Sequence, residues 1–399
     1  MISTIPAVAP AGRQTVQRLP LVTLIGLATI GFVLVATETM PAGLLPVIAA
    51  GLNTSEGSVG LLVSAYALGT VIVTIPAISL TRRMRRKPLL LTALAGLILA
   101  NSITAVSTDV GVVLLSRFVA GSFSGVLWGM LAAYGLKISP PRRGGLALAI
   151  VSTGAPIGFA LGTPLGSWLG TTFDWRWAFA GLTLVALVAG TLLALVAPNV
   201  PGQRGDGTRL PVLRVLRLPG IAVILGVIFA WMLAHNTIYT YISPYLRTTG
   251  SSLTVDVQLL FFGIASIGGI ILTGALLDRF PRVLLHGSLM LFVAAAVTLL
   301  VFHTSTPAII GATIVWGATF GGASAQLQSF LTRAGGDESD VANSFLPVAF
   351  NVAIFVAGVL GAGLLTVLDG LILPVVMIVF GAVALLLTLS GRRTAFAKG

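Results

Sequence analysis

Glu38 is the first acid of the chain and the only one before Glu56. It lies in Thr37-Glu38-Thr39-Met40-Pro41-Ala42-Gly43-Leu44-Leu45-Pro46, inside an apolar run from about Leu21 to Leu52. A carboxylate in the middle of a membrane helix costs about 2.5–3.5 kcal/mol on insertion scales. Such a group faces a water-filled cavity or a partner of opposite charge, and it can take up and release a proton. Arg117 is the second charge inside a long apolar segment. It lies about seven residues, roughly 10 Å, from one end of its helix. Glu38 stands at a comparable depth in a helix running the other way. A Glu–Arg pair across a cavity lowers the cost of both charges. A carboxylate that alternates between a proton and an arginine, or a cationic substrate, couples proton movement to substrate movement. The plainer alternative is a fixed salt bridge that sets helix register.

His235 is a third ionisable group of this kind, and imidazole is able to titrate near neutral pH. It follows Glu38 by 197 residues in Trp231-Met-Leu-Ala-His235-Asn236-Thr-Ile-Tyr239-Thr-Tyr241. His235 and Tyr239 are four apart and share a helix face, and Asn236 lies beside them. These residues read as one wall of a binding site, with a helix–helix hydrogen bond as the competing role for His235. Trp128, Tyr241, Trp316 and Asn351 complete the candidates for lining a cavity. The proton-coupling candidates are therefore Glu38, Arg117 and His235. Glu38 and His235 are also candidates for substrate contact.

The elements that carry these groups follow from composition. The chain has 399 residues, 56% hydrophobic and 9% charged. A soluble domain carries about 25% charged residues, so so few charges cannot cover a surface facing water. Twelve apolar runs are long enough to span a bilayer, which takes about 20 residues. They fall near 20–50, 57–80, 88–107, 110–137, 144–169 and 176–197, then 219–247, 256–277, 283–303, 307–332, 341–368 and 371–390. The first run exceeds one crossing, and Pro41 and Pro46 are its expected bending points. With the N-terminus inside, 20 of the 23 Lys and Arg fall in inner segments. That bias sets the orientation and accounts for the net charge of +12 without nucleic acid. Residues 1–19 do not read as a cleaved signal peptide, because Pro6, Pro10, Arg13 and Arg18 break the apolar pattern. They are expected to form a cytoplasmic tail.

The segment 198–218, rich in Pro, Gly and Arg, divides the chain into bundles 20–197 and 219–390, with 391–399 a second tail. An internal repeat supports the division. Arg82 and Arg85 after the second run align with Arg279 and Arg282 after the eighth, again 197 residues apart. Arg82, Arg85, Gly274, Asp278 and Arg279 are candidates for a gating latch on the inner side. Glycines recur every fourth residue at Gly121, Gly125 and Gly129, and at Gly154, Gly158, Gly162 and Gly166 with Pro164 among them. Small residues at that spacing let helices approach closely, and a close pair that bends can gate. No P-loop and no metal-ligand spacing of the three His occurs. There is no cysteine. Neither an enzyme, a metal centre nor a cofactor is indicated.

Taken together, these residues resemble the major facilitator superfamily. The likeness is to its twelve-span drug:proton antiporters, in the branch of sugar-efflux and chloramphenicol-resistance permeases. The loop motif of that superfamily is Gly-x-Leu-x-Asp-Arg-x-Gly-Arg-Arg. The second copy here keeps Gly274, Leu276, Asp278, Arg279 and Arg282, while Ala77, Thr81 and Met84 replace Gly, Asp and Gly in the first. Arg117 with Gly121 and Gly125 is similar to the span-four motif, whose Arg the family links to proton coupling. Gly162-Thr163-Pro164-Leu165-Gly166 is similar to the span-five antiporter motif. The resemblance implies an all-α integral membrane protein of twelve helices in two pseudo-symmetric six-helix bundles, with both termini cytoplasmic. It implies alternating access, with proton uptake driving export of a small amphipathic compound such as a drug or sugar. A sugar or nucleoside facilitator or importer is the alternative. The expected setting is a monomer in the bacterial plasma (inner) membrane, whose partners are a small-molecule substrate and the bilayer, with the proton as coupling ion and no other cofactor.

Overall fold

The computed structural model describes residues 19–81, 83–202, 212–393 and 395–396. The expectations for the tail 1–18, for Arg82, for the middle of the linker and for the last residues lie outside the described residues. Among the described residues twelve helices are long and apolar enough to cross a membrane. They are α1 Leu21–Gly43, α2 Glu56–Thr74, α3 Arg86–Val106, α4 Val110–Lys137, α5 Pro141–Thr172 and α6 Trp175–Val196, followed by α7 Ile221–Thr240, α8 Val255–Leu276, α9 Pro281–Val301, α10 Thr306–Glu338, α11 Val341–Leu364 and α12 Ile372–Ser390. Among the described residues there is no strand.

Packing repeats with a step of six helices. In the first half α1 lies on α5 and α6, α4 lies on α2 and α3, and α3 lies on α6. In the second half α7 lies on α11 and α12, α10 lies on α8 and α9, and α9 lies on α12. The main contacts between halves are α2 with α11 and α5 with α8. One tether recurs as well. Thr70 Oγ1 donates to the Gly121 carbonyl at 3.0 Å, and Ser266 Oγ to the Gly317 carbonyl at 3.2 Å.

Both leading helices stop short of the spans expected from hydropathy, for a local reason. α1 ends at Gly43, and a short helix Leu45–Gly51 follows a break at Leu44. Pro46 starts that helix, where its missing N–H is not needed. α7 ends at Thr240, and Ile242–Thr249 follows a break at Tyr241. Leu44 and Tyr241 are themselves 197 residues apart, so the two halves break their leading helix at the same place. Span ten also divides, into Thr306–Gly321 and Ala323–Gly335. α5 carries a π turn at Gly158–Gly162. Pro164 follows, and it cannot supply the bond that the Ala160 carbonyl expects. The start of the linker is held to the first half. Tyr134 Oη donates to the Pro198 carbonyl at 2.6 Å, and Lys137 Nζ to the Pro201 carbonyl at 2.6 Å.

Candidate functional site

The site begins with Pro41, which lies inside α1. Proline has no N–H, so the carbonyl four residues earlier loses its helical donor. That carbonyl belongs to Thr37. Arg117 Nη2, reaching from α4, donates to it at 2.7 Å. Proline thus leaves a backbone dipole free at mid-membrane, and a guanidinium takes it up. Arg117 is completely buried. Its guanidinium carbon lies 4.7 Å from the ring centre of Tyr66 and 5.6 Å from that of Phe179, where the π faces attract a cation. Nε and Nη1 have no hydrogen-bond partner. Arg117 therefore does not line a cavity opposite Glu38, and the two form no direct ion pair. The ion pairs among the described residues are Asp174–Arg176 and Glu56–Arg247.

Thr37 is a node for a second contact. Asn101 Nδ2 of α3 donates to Thr37 Oγ1 at 3.1 Å. Thr39, on the other side of Glu38, shares a hydrogen bond with Thr163 of α5 at 2.6 Å. The Gly43 carbonyl, freed where α1 breaks, accepts from Ser167 Oγ at 2.8 Å. Backbone carbonyls inside a membrane need such partners. Three neighbouring helices, α3, α4 and α5, thereby fix the turn of α1 that carries Glu38.

The opposing wall comes from the second half and is aromatic. The Trp316 indole N–H donates to His235 Nδ1 at 3.1 Å. An Nδ1 that accepts carries no proton, so the ring is neutral with its N–H on Nε2. His235 stacks on Phe320 with ring centres 3.5 Å apart and planes 12° apart, and on Phe262 at 5.4 Å and 28°. Tyr239 lies 5.1 Å from the His235 ring and meets Phe159 of α5 edge-on at 6.3 Å.

Glu38, Thr39 and Ala42 of α1 meet Met232, His235, Asn236, Tyr239 and Thr240 of α7 around one closed cavity. Its volume is about 30 Å³. That admits a water molecule or two but no sugar or drug. Of the candidates for substrate contact, Glu38, His235, Asn236 and Tyr239 line it. Trp316 stands behind His235. Trp128 lies outside the cavity and is 36% exposed. Asn351 also lies outside it, its Nδ2 turned back to the Pro347 carbonyl of its own helix at 2.9 Å.

Tyr241 has a different place. Its Oη donates to the Gly358 carbonyl of α11 at 2.7 Å and reaches Gly57 of α2 at 3.4 Å. A Cβ on Gly60 would fall 2.1 Å from that hydroxyl, and one on Gly361 only 2.3 Å from the ring. Both positions must be glycine for the ring to enter between α2 and α11. Beyond it, Arg247 Nη1 and Nη2 meet Glu56 Oε1 and Oε2 in a two-pronged bridge, at 2.5 and 3.0 Å. Ser64 Oγ donates to the Phe355 carbonyl at 3.0 Å. The Tyr241 and Arg247 bonds lie between the central cavity and the face that bears Glu56, so that face is shut, while the Ser64 bond lies beside the cavity, next to its lining residues Val63 and Ile354.

The gating candidates fall into two groups. The glycine stripe of α5 lies along α1: a Cβ on Gly154 would come 1.9 Å from the Ala28 carbonyl oxygen. Gly158, Gly162 and Gly166 face Val35, Ala36 and Met40, and Pro164 is buried with them. The stripe thus seats the helix that carries Glu38. On the arginine-rich face, Arg85 is exposed. Gly274 faces open space. Asp278 and Arg279 make no ion pair among the described residues and line a surface groove instead. Thr37, Asn101, Phe262 and Phe320 were not among the sequence candidates. Pro41 points to the first by the four-residue rule, and Phe320 lies four residues after Trp316. Nothing in the sequence marks Asn101 or Phe262.

A two-bundle helical fold with a shut central cavity, lined by ionisable groups from both leading helices, defines a class of membrane transporter. The model of the Major Facilitator Superfamily matches residues 27–339, and the chain belongs to that superfamily. A "Probable sugar efflux transporter" of Helicobacter pylori (strain P12) is 27% identical over 344 residues, covering 86% of this chain and 88% of that protein. A protein of the same description from Mannheimia succiniciproducens is 27% identical over 348 residues, with 86% of each chain covered. The crystal structure of the human organic anion transporter MFSD10 (TETRAN) has the same fold, with a TM-score of 0.67 at 17% identity over 92% of this chain and 98% of that one.

Proposed function

We propose that the protein exports a small neutral polyol or amphipathic compound in exchange for protons, by rocking bundle 20–197 against bundle 219–390. The observation that carries this reading is Glu38 facing His235 across the central cavity, with Arg117 held one residue away on the Thr37 carbonyl. Glu38 is the proton carrier. Arg117 is held on the carbonyl of the residue before Glu38, yet it is not bonded to Glu38, so the carboxylate stays free to exchange a proton with water or substrate. His235 serves as a neutral donor to substrate, since Trp316 occupies its other nitrogen. Phe262, Phe320 and Tyr239 offer faces suited to the apolar side of a sugar ring. The names of the bacterial relatives support sugar as the first class of cargo to try.

The arginine-rich face is cytoplasmic by the positive-inside rule, and the membrane is the bacterial inner membrane. The shut Glu56 face then belongs to the outside, closed by Tyr241 and the Glu56–Arg247 bridge. The glycine stripe of α5 is the surface on which α1 shifts as the halves rock. The test is proton exchange on adding candidate sugars to purified protein in detergent, wild type beside Glu38→Gln. The reading requires proton release from wild type and none from the variant. Equal release from both proteins, or binding without release from either, overturns coupling through Glu38 and leaves a facilitator.

A further inference from the structure

On the arginine-rich face a groove of about 1050 Å³ opens beside the N-terminal end of α9. Its mouth holds three guanidinium groups, Arg279, Arg282 and Arg333, against the single carboxylate of Asp278. None of the three arginines has an ion-pair partner among the described residues. Arg279 lies 5.2 Å over the ring of Phe280, and Arg333 lies 5.9 Å over that of Phe330. Both charges are thus propped on aromatic faces with their donors uncommitted. The His286 Nδ1 is engaged with the Arg282 carbonyl at 2.7 Å.

Deeper along α9 the groove becomes apolar and stays open. Phe280, Val283 and Met290 are 46%, 72% and 60% exposed. A Cβ on Gly287 would meet nothing, so the helix presents a shallow trough there. Arg282 and Met290 are eight residues apart, about 12 Å along the axis, which approaches the half-thickness of about 15 Å of a bilayer core. The packing partners of α9 are α8, α10 and α12 with part of α10's second segment, all in its own half. The free face therefore looks away from the transport cavity and toward the bilayer.

A cationic mouth at headgroup level continuous with an apolar trough at acyl depth fits one kind of ligand. We propose that this groove binds an anionic phospholipid, its phosphodiester on Arg279, Arg282 and Arg333 and an acyl chain along Val283, Gly287 and Met290. The excess of arginine over Asp278 selects negative charge, and the trough selects a lipid over a free phosphate. The position, on the loop between α8 and α9, ties lipid occupancy to the segment that carries the gating candidates Asp278 and Arg279.

The experiment uses the full chain purified in mild detergent. Bound lipid is counted by native mass spectrometry after titration with dioleoyl-phosphatidylglycerol, dioleoyl-phosphatidylcholine or dioleoyl-phosphatidylethanolamine. Wild type is expected to retain phosphatidylglycerol over the other two. The double variant Arg282→Gln with Arg333→Gln is expected to weaken that retention by about tenfold or more. Gly287→Trp fills the trough without touching the charges, and is expected to release the lipid as well. It decides the matter should the double variant not fold. Excess inorganic phosphate is expected to leave the lipid in place. Equal retention of the three lipids, unchanged retention in Gly287→Trp, or displacement by phosphate each overturns the proposal.

Discussion

The two halves break their leading helix at equivalent positions, Leu44 and Tyr241, yet fill the turn before the break with opposite chemistry. In the first half Glu38 and Pro41 stand there, and Arg117 fills the space behind them. In the second half His235 and Ile238 take those places. By the offset of the Thr70 and Ser266 tethers, Arg117 corresponds to Thr313. Thr313 accepts a neutral hydrogen bond from Gln258 Nε2 at 3.1 Å. The first half is therefore charged, with unpartnered donors on Arg117. The second is neutral, aromatic and closely stacked. A shared scaffold with divided chemistry sets charged groups on one side of the cavity and neutral aromatic groups on the other.

The contrast between the halves depends most on Glu38. Glu38→Gln keeps the shape and removes the titrating group, and proton-driven counterflow is expected to fall by more than about tenfold while exchange of substrate for substrate persists. Counterflow in reconstituted vesicles, with and without a pH gradient, reads this directly. Loss of both activities together would mean that Glu38 supports structure or substrate binding and not coupling.

Pro41→Ala sharpens the same contrast by making the first half resemble the second. It returns an N–H to the Thr37 carbonyl, which Arg117 must then share. A severalfold loss of counterflow is expected, with a shifted pH profile, in a protein whose thermal unfolding remains cooperative. An unchanged pH profile would show that the Thr37–Arg117 bond does not tune the carboxylate.

Smaller effects are expected at the Glu56–Arg247 bridge. An exposed ion pair contributes about 0.2–1 kcal/mol, so Glu56→Gln should shift the balance toward opening by a few-fold. The chain has no cysteine, and a single cysteine at Ser64 makes the Glu56 face readable by labelling rate. The hydrogen bond to Glu56 raises the pKa of Arg247. A raised pKa means that the contribution is complete below the ordinary value and lost only as pH rises through the raised one. Titration of Arg247 therefore leaves the bridge intact across neutral pH, and a labelling rate that climbs with mild alkali would contradict this.

The smallest effect belongs to Trp316→Phe. It removes one buried hydrogen bond, about 0.5–1.5 kcal/mol, and frees the His235 tautomer. The apparent KM for substrate is expected to rise by several-fold with little change in maximal rate, whereas Glu38→Gln acts on the driven rate.

Much of this organisation is legible in single residues. Twelve spans follow from apolar length. The repeat follows from the spacing between Arg82 and Arg279, and the break sites recover that spacing. Glu38 and His235 are conspicuous because an ionisable group in an apolar run has few tolerable surroundings. The candidates that lie elsewhere fail for a common reason. Trp128, Tyr241 and Asn351 are residue types that suit a binding wall, and type says nothing about which way a helix is turned. Tyr241 closes the Glu56 end because α2 and α11 present Gly60 and Gly361 to it, two residues remote in sequence.

The sequence by itself determined the membrane class, the number of crossings and the two-fold repeat, because these depend on local composition and spacing. It also determined that Thr37 would have a free carbonyl, since Pro41 acts within its own helix. Only the tertiary structure decided that Arg117 would take that carbonyl in place of Glu38, that Trp316 would hold His235 neutral, and that Tyr241 and the Glu56–Arg247 bridge would shut the Glu56 face. Those outcomes depend on the rotation and approach of helices far apart in the chain, and close packing fixes them jointly through many small contacts that no single residue type encodes.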